Sequence, residues 1–152
     1  VGFDTFEGYA SISNNDKASD TIKEGGYATS KNYNEYLESL IDYHEKNNVL
    51  GAIKKHTLVK GDVTKTAPEY FSNNSNLIIA LAYFDMALYE PSKAALQAIK
   101  PHLITGSVLM LDEFNNYDYP GETKAFKEVF NDVSYKAIKS RYMNDRTFII
   151  IL

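Results

Sequence analysis

Acidic residues follow four apolar, strand-like segments of this sequence. The segments and the acids after them are Val1–Phe3 with Asp4, His56–Lys60 with Asp62, Leu77–Phe84 with Asp85, and Ser107–Leu111 with the pair Asp112 and Glu113. In open α/β sheets, ligands bind outside the carboxyl ends of the strands. One acid at a strand end is often only a helix cap. Four such ends in succession indicate a binding site.

The acids form two groups that suit different chemistry. Asp4 and Asp62 are single carboxylates, which can accept hydrogen bonds from ribose hydroxyls and from an exocyclic amine. Asp85, Asp112 and Glu113 form a convergent set. Hard cations such as Mg²⁺ take oxygen ligands of this kind and keep some positions for water or substrate. Because crowded carboxylates without a cation repel one another, we expect either a metal or a basic partner beside them.

Alternating helices and strands must position these acids. The other predicted elements are the helices Tyr33–Asn48, Pro68–Phe71, one that begins at Glu90, and Pro120–Phe130, and an antiparallel edge pair of strands, Tyr135–Lys139 and Arg146–Leu152. The continuous apolar run Leu77–Phe84 is typical of a strand buried on both faces, and Gly106 is expected to break the chain before the next strand. The alternation predicts an α/β fold with a mostly parallel sheet. The polar, aperiodic stretch Ser11–Lys31 is predicted to be a long loop, of the kind that forms lids.

Composition excludes several classes of protein. A net charge of -4 argues against a nucleic-acid partner, because such proteins usually present a basic surface. No apolar run approaches the roughly 20 residues of a membrane span, and no signal peptide is visible. The absence of cysteine excludes disulfides and thiolate chemistry. We therefore expect a cytoplasmic enzyme or binding domain; a homo-oligomer is compatible with this composition.

Several segments, in this order, resemble those of the macrocin-type (TylF-like) O-methyltransferases. They are Gly2–Gly8 (GFDTFEG), Tyr83–Pro91 (YFDMALYEP), Leu111–Phe114 (LDEF), Pro120–Glu122 (PGE) and Glu128. Each motif alone is weak, but the ordered set covers nearly the whole chain. The resemblance implies a Rossmann-like class I methyltransferase sheet. It also implies transfer of a methyl group from S-adenosylmethionine to a hydroxyl of a sugar or glycosylated metabolite, with Mg²⁺.

The resemblance implies a cofactor site at the first two strand ends. The ribose of S-adenosylmethionine is expected on Asp4, within the loop that includes Thr5 and Phe6. The adenine is expected near Asp62 and Val63.

The resemblance places the acceptor and the metal at the other two strand ends. Asp85, Asp112 and Glu113 are expected to hold Mg²⁺, with neighbouring hydroxyls of the sugar as further ligands. The metal would lower the pKa of the hydroxyl and fix its position. Asp85 is the best candidate to accept the proton. Tyr89 and Glu90 are expected to line the acceptor pocket.

Two departures from the family pattern stand out. The family usually carries a second acid two residues after the first in the segment that contains Asp85, and here that position is Ala87. The glycine-rich loop and first strand that cradle the cofactor are also missing, which would leave a gap between the strands of Asp4 and Asp85. We therefore expect residues 1–152 to be a single, incomplete methyltransferase domain from a longer chain, inactive alone.

Two rival functions remain open. A degenerate, non-catalytic methyltransferase-like module would suit Ala87 and the missing first strand. A Mg²⁺-dependent phosphohydrolase of the haloacid type is disfavoured, because it needs a second Asp two residues after the nucleophile. Neither Asp4 nor Asp85 has one.

Overall fold

The computed structural model describes residues 1–152. Six strands and four helices alternate along the chain, as the sequence predicts. They are β1 (Gly2–Asp4), α1 (Tyr33–Lys46), β2 (Leu58–Lys60), α2 (Val63–Asn73), β3 (Ile79–Phe84), α3 (Tyr89–Ile99), β4 (Leu103–Leu111), α4 (Pro120–Val129), β5 (Tyr135–Lys139) and β6 (Thr147–Ile151). None of the helices is both long enough and apolar enough for a membrane span.

The strands form two separate sheets. Strands β1 and β2 pair in parallel, and the other four follow the order β3-β4-β6-β5. Strands β3 and β4 are parallel, whereas β6 runs antiparallel to both β4 and β5. The prediction of an antiparallel C-terminal edge is confirmed. The two sheets share no hydrogen-bonded ladder, which matches the predicted gap between the strand of Asp4 and the strand of Asp85.

The main core lies between the four-stranded sheet and helices α2, α3 and α4. It is built from alternate residues of the strands, such as Leu109, Leu111 and Ile149, against Leu96 and Phe126 of the helices. Burying these side chains contributes roughly 1.5–3 kcal/mol each. This core holds the strand ends in place.

The prediction that Leu77–Phe84 is buried on both faces is wrong. Leu81 and Tyr83 of β3 are 65% and 52% exposed, and Ile104 of β4 is 52% exposed. The physical reason is that α2 and α4 both pack beside α3 on one face of the sheet. A continuous apolar run in a strand therefore does not show that the second face of the strand is covered.

Three local predictions also differ from the structure. Helix α2 begins at Val63, five residues before the predicted start, because Asp62 caps it. Gly106 does not end a strand: it adopts a positive φ of 93° inside β4, at an irregularity in the pairing with β3. Helix α1 ends at Lys46, two residues before the predicted Asn48, and none of its residues is buried.

Candidate functional site

A cavity of about 360 Å³ opens at the carboxyl ends of β1, β2, β3 and β4. Six of the predicted site residues line it together: Asp4, Thr5, Asp62, Val63, Asp85 and Glu113. The strand ends that the sequence singled out therefore meet at one site. Phe6, Asp112, Tyr89 and Glu90 were also predicted, but they are not among the lining residues.

The predicted cofactor acids are held by their own loops. Asp4 Oδ1 accepts a hydrogen bond from the backbone N–H of Phe6 at 2.6 Å. Asp62 Oδ1 accepts from both the N–H and the hydroxyl of Thr64, at 2.9 and 2.8 Å, and so caps α2. The N–H of Gly61 joins the two loops by donating to the carbonyl of Asp4 at 2.9 Å. In each acid one oxygen is occupied, and these bonds fix the direction of the carboxyl group.

The predicted lid, Ser11–Lys31, has no helix or strand, and it contributes Ser11, Gly26 and Tyr27 to the lining of the cavity. The backbone N–H of Tyr9 donates to the carbonyl of Gly26 at 3.0 Å, closing the two ends of the loop. Gly8 has a φ of 79°, and a Cβ there would lie 2.3 Å from the carbonyl oxygen of Gly26, so only glycine fits. Tyr9 and Tyr27 line the cavity from this side.

One side chain fastens the lid to the helices. Asp16 Oδ1 accepts a hydrogen bond from the backbone N–H of Tyr89, the first residue of α3, at 2.7 Å. A carboxylate at a helix N-terminus is favoured by the helix dipole. Gly121 allows this close approach, because a Cβ there would lie 2.2 Å from Asp16 Oδ1. Three elements therefore meet at Asp16.

Arg146 is the basic partner of the predicted metal acids. Its Nε forms an ion pair with Oδ1 of Asp112, which is buried. Tyr83 donates a hydrogen bond to Oδ2 of Asp85 at 3.3 Å. Burial and the negative charge of Asp85 raise the pKa of Asp112, and the charge of Arg146 opposes the rise. The sequence predicted either a metal or a basic partner beside these acids, but no local pattern pointed to Arg146.

Glu113 is joined to a buried acid of α4. Its backbone N–H donates to Glu122 Oε1 at 3.0 Å, and its own Oε2 accepts from Asn116 at 2.6 Å. Glu122 is fully buried, and its Oε2 has no hydrogen-bond partner. Burial, together with the charges of the nearby acids, raises the pKa of Glu122 to about 8. Burial likewise raises the pKa of Glu113. The sequence placed Glu122 in the Pro120–Glu122 motif at the start of a predicted helix and did not indicate that it is buried.

The donor chemistry of this region fits a hard divalent cation. Three carboxyl groups here have raised pKa values: Asp112 and Glu122 are buried, and Glu113 is half-buried. Only Asp112 pairs with a guanidinium, and Oε2 of Glu122 has neither a hydrogen-bond partner nor an ion pair. A cation would relieve that repulsion. The side chains are not gathered around one point, however. Asp85, Asp112 and Glu113 do not form a group whose ligand atoms lie within 4.8 Å of one another.

The predicted acceptor residues Tyr89 and Glu90 lie away from the cavity. The hydroxyl of Tyr89 donates to Glu128 Oε2 at 2.6 Å and accepts from Lys93 at 2.8 Å, between helices α3 and α4. Glu90 is exposed in the first turn of α3. Neither residue is therefore among those that line the cavity, because the side chain of Tyr89 is buried between two helices and that of Glu90 is exposed to solvent. Ala87 does line the cavity, with a φ of 58° that suits Asp or Asn better than Ala.

Solved structures with the same fold are O-methyltransferases. The calicheamicin methyltransferase CalS11 matches with a TM-score of 0.88 and 36% identity, over 98% of this chain and 58% of that one. An apo structure of CalS11, a TDP-rhamnose 3'-O-methyltransferase in calicheamicin biosynthesis, matches with a TM-score of 0.74 and 34% identity, over 98% and 56%. The O-methyltransferase NovP matches with a TM-score of 0.70 and 17% identity, over 98% and 58%. At that identity, the NovP match supports the fold alone.

Other comparisons add no family. No model of a known protein family matches the chain, and no curated protein matches it. The chain spans 58% of the CalS11 chain that it matches at 36% identity. These matches, and the mixed, mostly parallel order of strands, show that the chain has the α/β fold of the class I methyltransferases.

Proposed function

We propose that the chain belongs to an S-adenosylmethionine-dependent enzyme that methylates a hydroxyl of a sugar or glycosylated metabolite. The main support is the cavity, in which Asp4 and Asp62 lie with Asp85 and Glu113. The second support is that the chain is 36% identical to CalS11. Because CalS11 is a TDP-rhamnose 3'-O-methyltransferase, a nucleotide-linked deoxysugar is the first acceptor to test.

The cofactor is proposed to lie across the ends of β1 and β2. The ribose hydroxyls would donate to the oxygen of Asp4 that Phe6 does not use. The adenine would lie beside Val63, with its amine directed to the free oxygen of Asp62. Both acids are already oriented by backbone hydrogen bonds, which reduces the ordering cost of binding.

The chemical step needs a base and a dry cavity. Asp85 would accept the proton of the acceptor hydroxyl. The oxygen of that hydroxyl would attack the sulfonium methyl group in line with the C–S bond. The C–S bond would break as the new O–C bond forms, and S-adenosylhomocysteine would leave as a neutral thioether. General-base assistance of this kind contributes roughly 10²–10⁴ in rate. The lid, held by Asp16, would exclude water during transfer.

We also propose that Asp85, Asp112 and Glu113 hold Mg²⁺ in the working enzyme. When bound, the ion acts as a Lewis acid and a template for the acceptor hydroxyls. The support is the donor chemistry and the crowding of carboxyl groups described above; of the three proposed ligands Asp112 is buried, Glu113 is half-buried and Asp85 is exposed. For the ion to bind, Asp112 must release Arg146, and Glu113 must turn from Asn116.

Mg²⁺ titration of two variants tests this metal assignment. Arg146→Met should tighten Mg²⁺ binding, because the guanidinium no longer competes for Asp112, and Asp112→Asn should weaken it. Arg141→Met, which changes an exposed arginine in the same connection, is the matched control. If neither variant changes the Mg²⁺ affinity, Arg146 alone balances the acids and the metal assignment is wrong.

We propose that residues 1–152 are one domain whose sheet is completed by a further strand. The support is that β1–β2 and the four-stranded sheet share no ladder. S-adenosylmethionine binding to these 152 residues and to the full-length protein, measured by calorimetry, tests this. We expect much weaker binding by the 152 residues, and equal affinities would contradict the proposal.

A further inference from the structure

A second cluster of potential ligands lies outside the cavity, between α1 and the segment that leads into β2. Glu38 and Asp42 are one helical turn apart on α1, and His56 faces both of them. His56 Nε2 lies 3.2 Å from Glu38 Oε1 and 3.7 Å from Asp42 Oδ1. This is the one group of three histidine or acidic side chains whose ligand atoms all lie within 4.8 Å of one another.

A third acid lies beside the other nitrogen of the imidazole ring. Glu45, on the next turn of α1, places Oε1 3.1 Å from His56 Nδ1. A carboxylate on one ring nitrogen commonly fixes the tautomer of a metal-binding histidine and leaves the other nitrogen free to bind. The side chain of His56 is only 11% exposed. Both ring nitrogens are shielded from solvent, and neither has a hydrogen-bond partner of good geometry.

This arrangement leaves an electrostatic problem that a cation solves. When the neutral ring carries its proton on Nδ1, beside Glu45, the lone pair of Nε2 points at the carboxylates of Glu38 and Asp42. Lys54 pairs with Glu38 from the other side, but no cation lies between Nε2 and the two carboxylates. A lone pair facing negative charge is repulsive unless a proton or a metal ion lies between them.

We propose that Glu38, Asp42 and His56 bind a divalent transition-metal ion of the zinc type. Zinc lies about 2.0–2.1 Å from nitrogen and oxygen ligands, so two ligands of a tetrahedral site are about 3.3–3.4 Å apart. The observed 3.2 and 3.7 Å bracket that separation. Three protein ligands leave one position for water. An imidazole ligand selects zinc, nickel or cobalt over Mg²⁺, which prefers oxygen.

The site has a structural consequence for α1. No residue of α1 is buried, and β2 is the element that it contacts most. His56 lies two residues before β2, whose far end leads to Asp62 in the cavity. A metal bound between the helix and this segment ties α1 to the cavity wall. Lys54, which pairs with Glu38, competes with the metal for the same carboxylate.

Zinc affinity, measured by competition with a chromophoric chelator, tests the proposal on the full chain. We expect one Zn²⁺ per chain, unaffected by millimolar Mg²⁺, and a rise in the melting temperature when zinc is added. Asp42→Asn and His56→Gln should each weaken zinc binding at least tenfold. Glu35→Gln and His44→Gln, exposed positions of α1, should leave it unchanged. Lys54→Gln should tighten it, because its ammonium group no longer competes.

Two results would overturn the assignment. Absence of zinc binding by the unaltered chain would show that a protonated imidazole alone satisfies the three acids. Zinc binding that Asp42→Asn leaves unchanged would place the ion elsewhere, for example among the strand-end carboxylates. Should His56→Gln fail to fold, Asp42→Asn and Lys54→Gln still decide the question, because both side chains reach the surface.

Discussion

The buried acid Glu122 should make the stability of the protein fall as the pH rises. Its pKa is raised from 4.5 to about 8 by burial and by the charges of Glu113, Asp112 and Asp85. Between these two pKa values the folded state therefore binds one more proton than the unfolded state. Stability falls with pH wherever the folded state binds more protons. The contribution of Glu122 is fully present below pH 4.5 and is lost as the pH rises through 8.

The size of the effect follows from the same two values. Each pH unit between them removes about 1.4 kcal/mol, so the free energy of unfolding should fall on the order of 3 kcal/mol between pH 5 and 7.5. Glu122→Gln removes the titration but keeps an amide oxygen that can accept from the N–H of Glu113, the bond that Oε1 now makes. The variant should match the unaltered protein near pH 5 and be more stable by about that amount at pH 7.5.

Urea unfolding between pH 5 and 7.5, followed by far-ultraviolet circular dichroism, measures the difference. Glu69→Gln, an exposed acid of α2, is the matched control and should follow the unaltered protein. Mg²⁺ should flatten the slope of the unaltered protein, because a cation among the neighbouring acids favours ionised Glu122. A variant with the same pH slope as the unaltered protein, or one that is less stable at pH 7.5, would refute the reasoning.

Two further predictions concern the lid and its contact with the helices. Asp16→Ala should lower the free energy of unfolding by about 1 kcal/mol, because it removes the acceptor for the N–H of Tyr89. It should also speed hydrogen exchange of the amides in Ser11–Lys31. Asp16→Asn, which keeps an acceptor oxygen, should keep most of the stability. Gly121→Ala should cost roughly 1–3 kcal/mol, because its Cβ would meet the backbone nitrogen of Tyr89 at 2.5 Å. Gly25→Ala is the comparison without a steric clash, because its Cβ would meet nothing within 4 Å; it carries only the backbone strain of a positive φ. Thermal melts measure both stabilities, and a Gly121→Ala melt like that of Gly25→Ala would contradict the packing argument.

The strand-end acids could be predicted because parallel strands deliver their carboxyl ends to one edge. The alternation of apolar runs and helices was enough to predict that four acids lie together, namely Asp4, Asp62, Asp85 and Glu113. The register in which β6 pairs with β4 could not be predicted in the same way. Leu111 pairs with Thr147 across antiparallel strands, so Arg146 comes beside Asp112. That pairing depends on which edge of β4 is free, which no local pattern encodes.

Side-chain environments were harder to predict than element order. Glu122 looks like an ordinary acid at a helix start, and only the tertiary structure, in which it accepts from the N–H of Glu113, shows that it is buried. Tyr89 was expected to face the acceptor, but its hydroxyl lies between two helices. The contacts of His56 could not be predicted, because its partners lie on a helix 11 or more residues away in the sequence. In each case the deciding contact is tertiary.

Transfer of a labelled methyl group from S-adenosylmethionine to a nucleotide-linked deoxysugar tests the central claim most directly. The full-length protein and its Asp85→Asn variant should be compared under the same conditions, with cofactor affinity measured in parallel. The account predicts transfer by the unaltered protein, and a fall of roughly 10²–10⁴ in kcat for the variant at unchanged cofactor affinity. A full-length protein that does not bind the cofactor, or a variant that transfers methyl groups as fast as the unaltered protein, would contradict it.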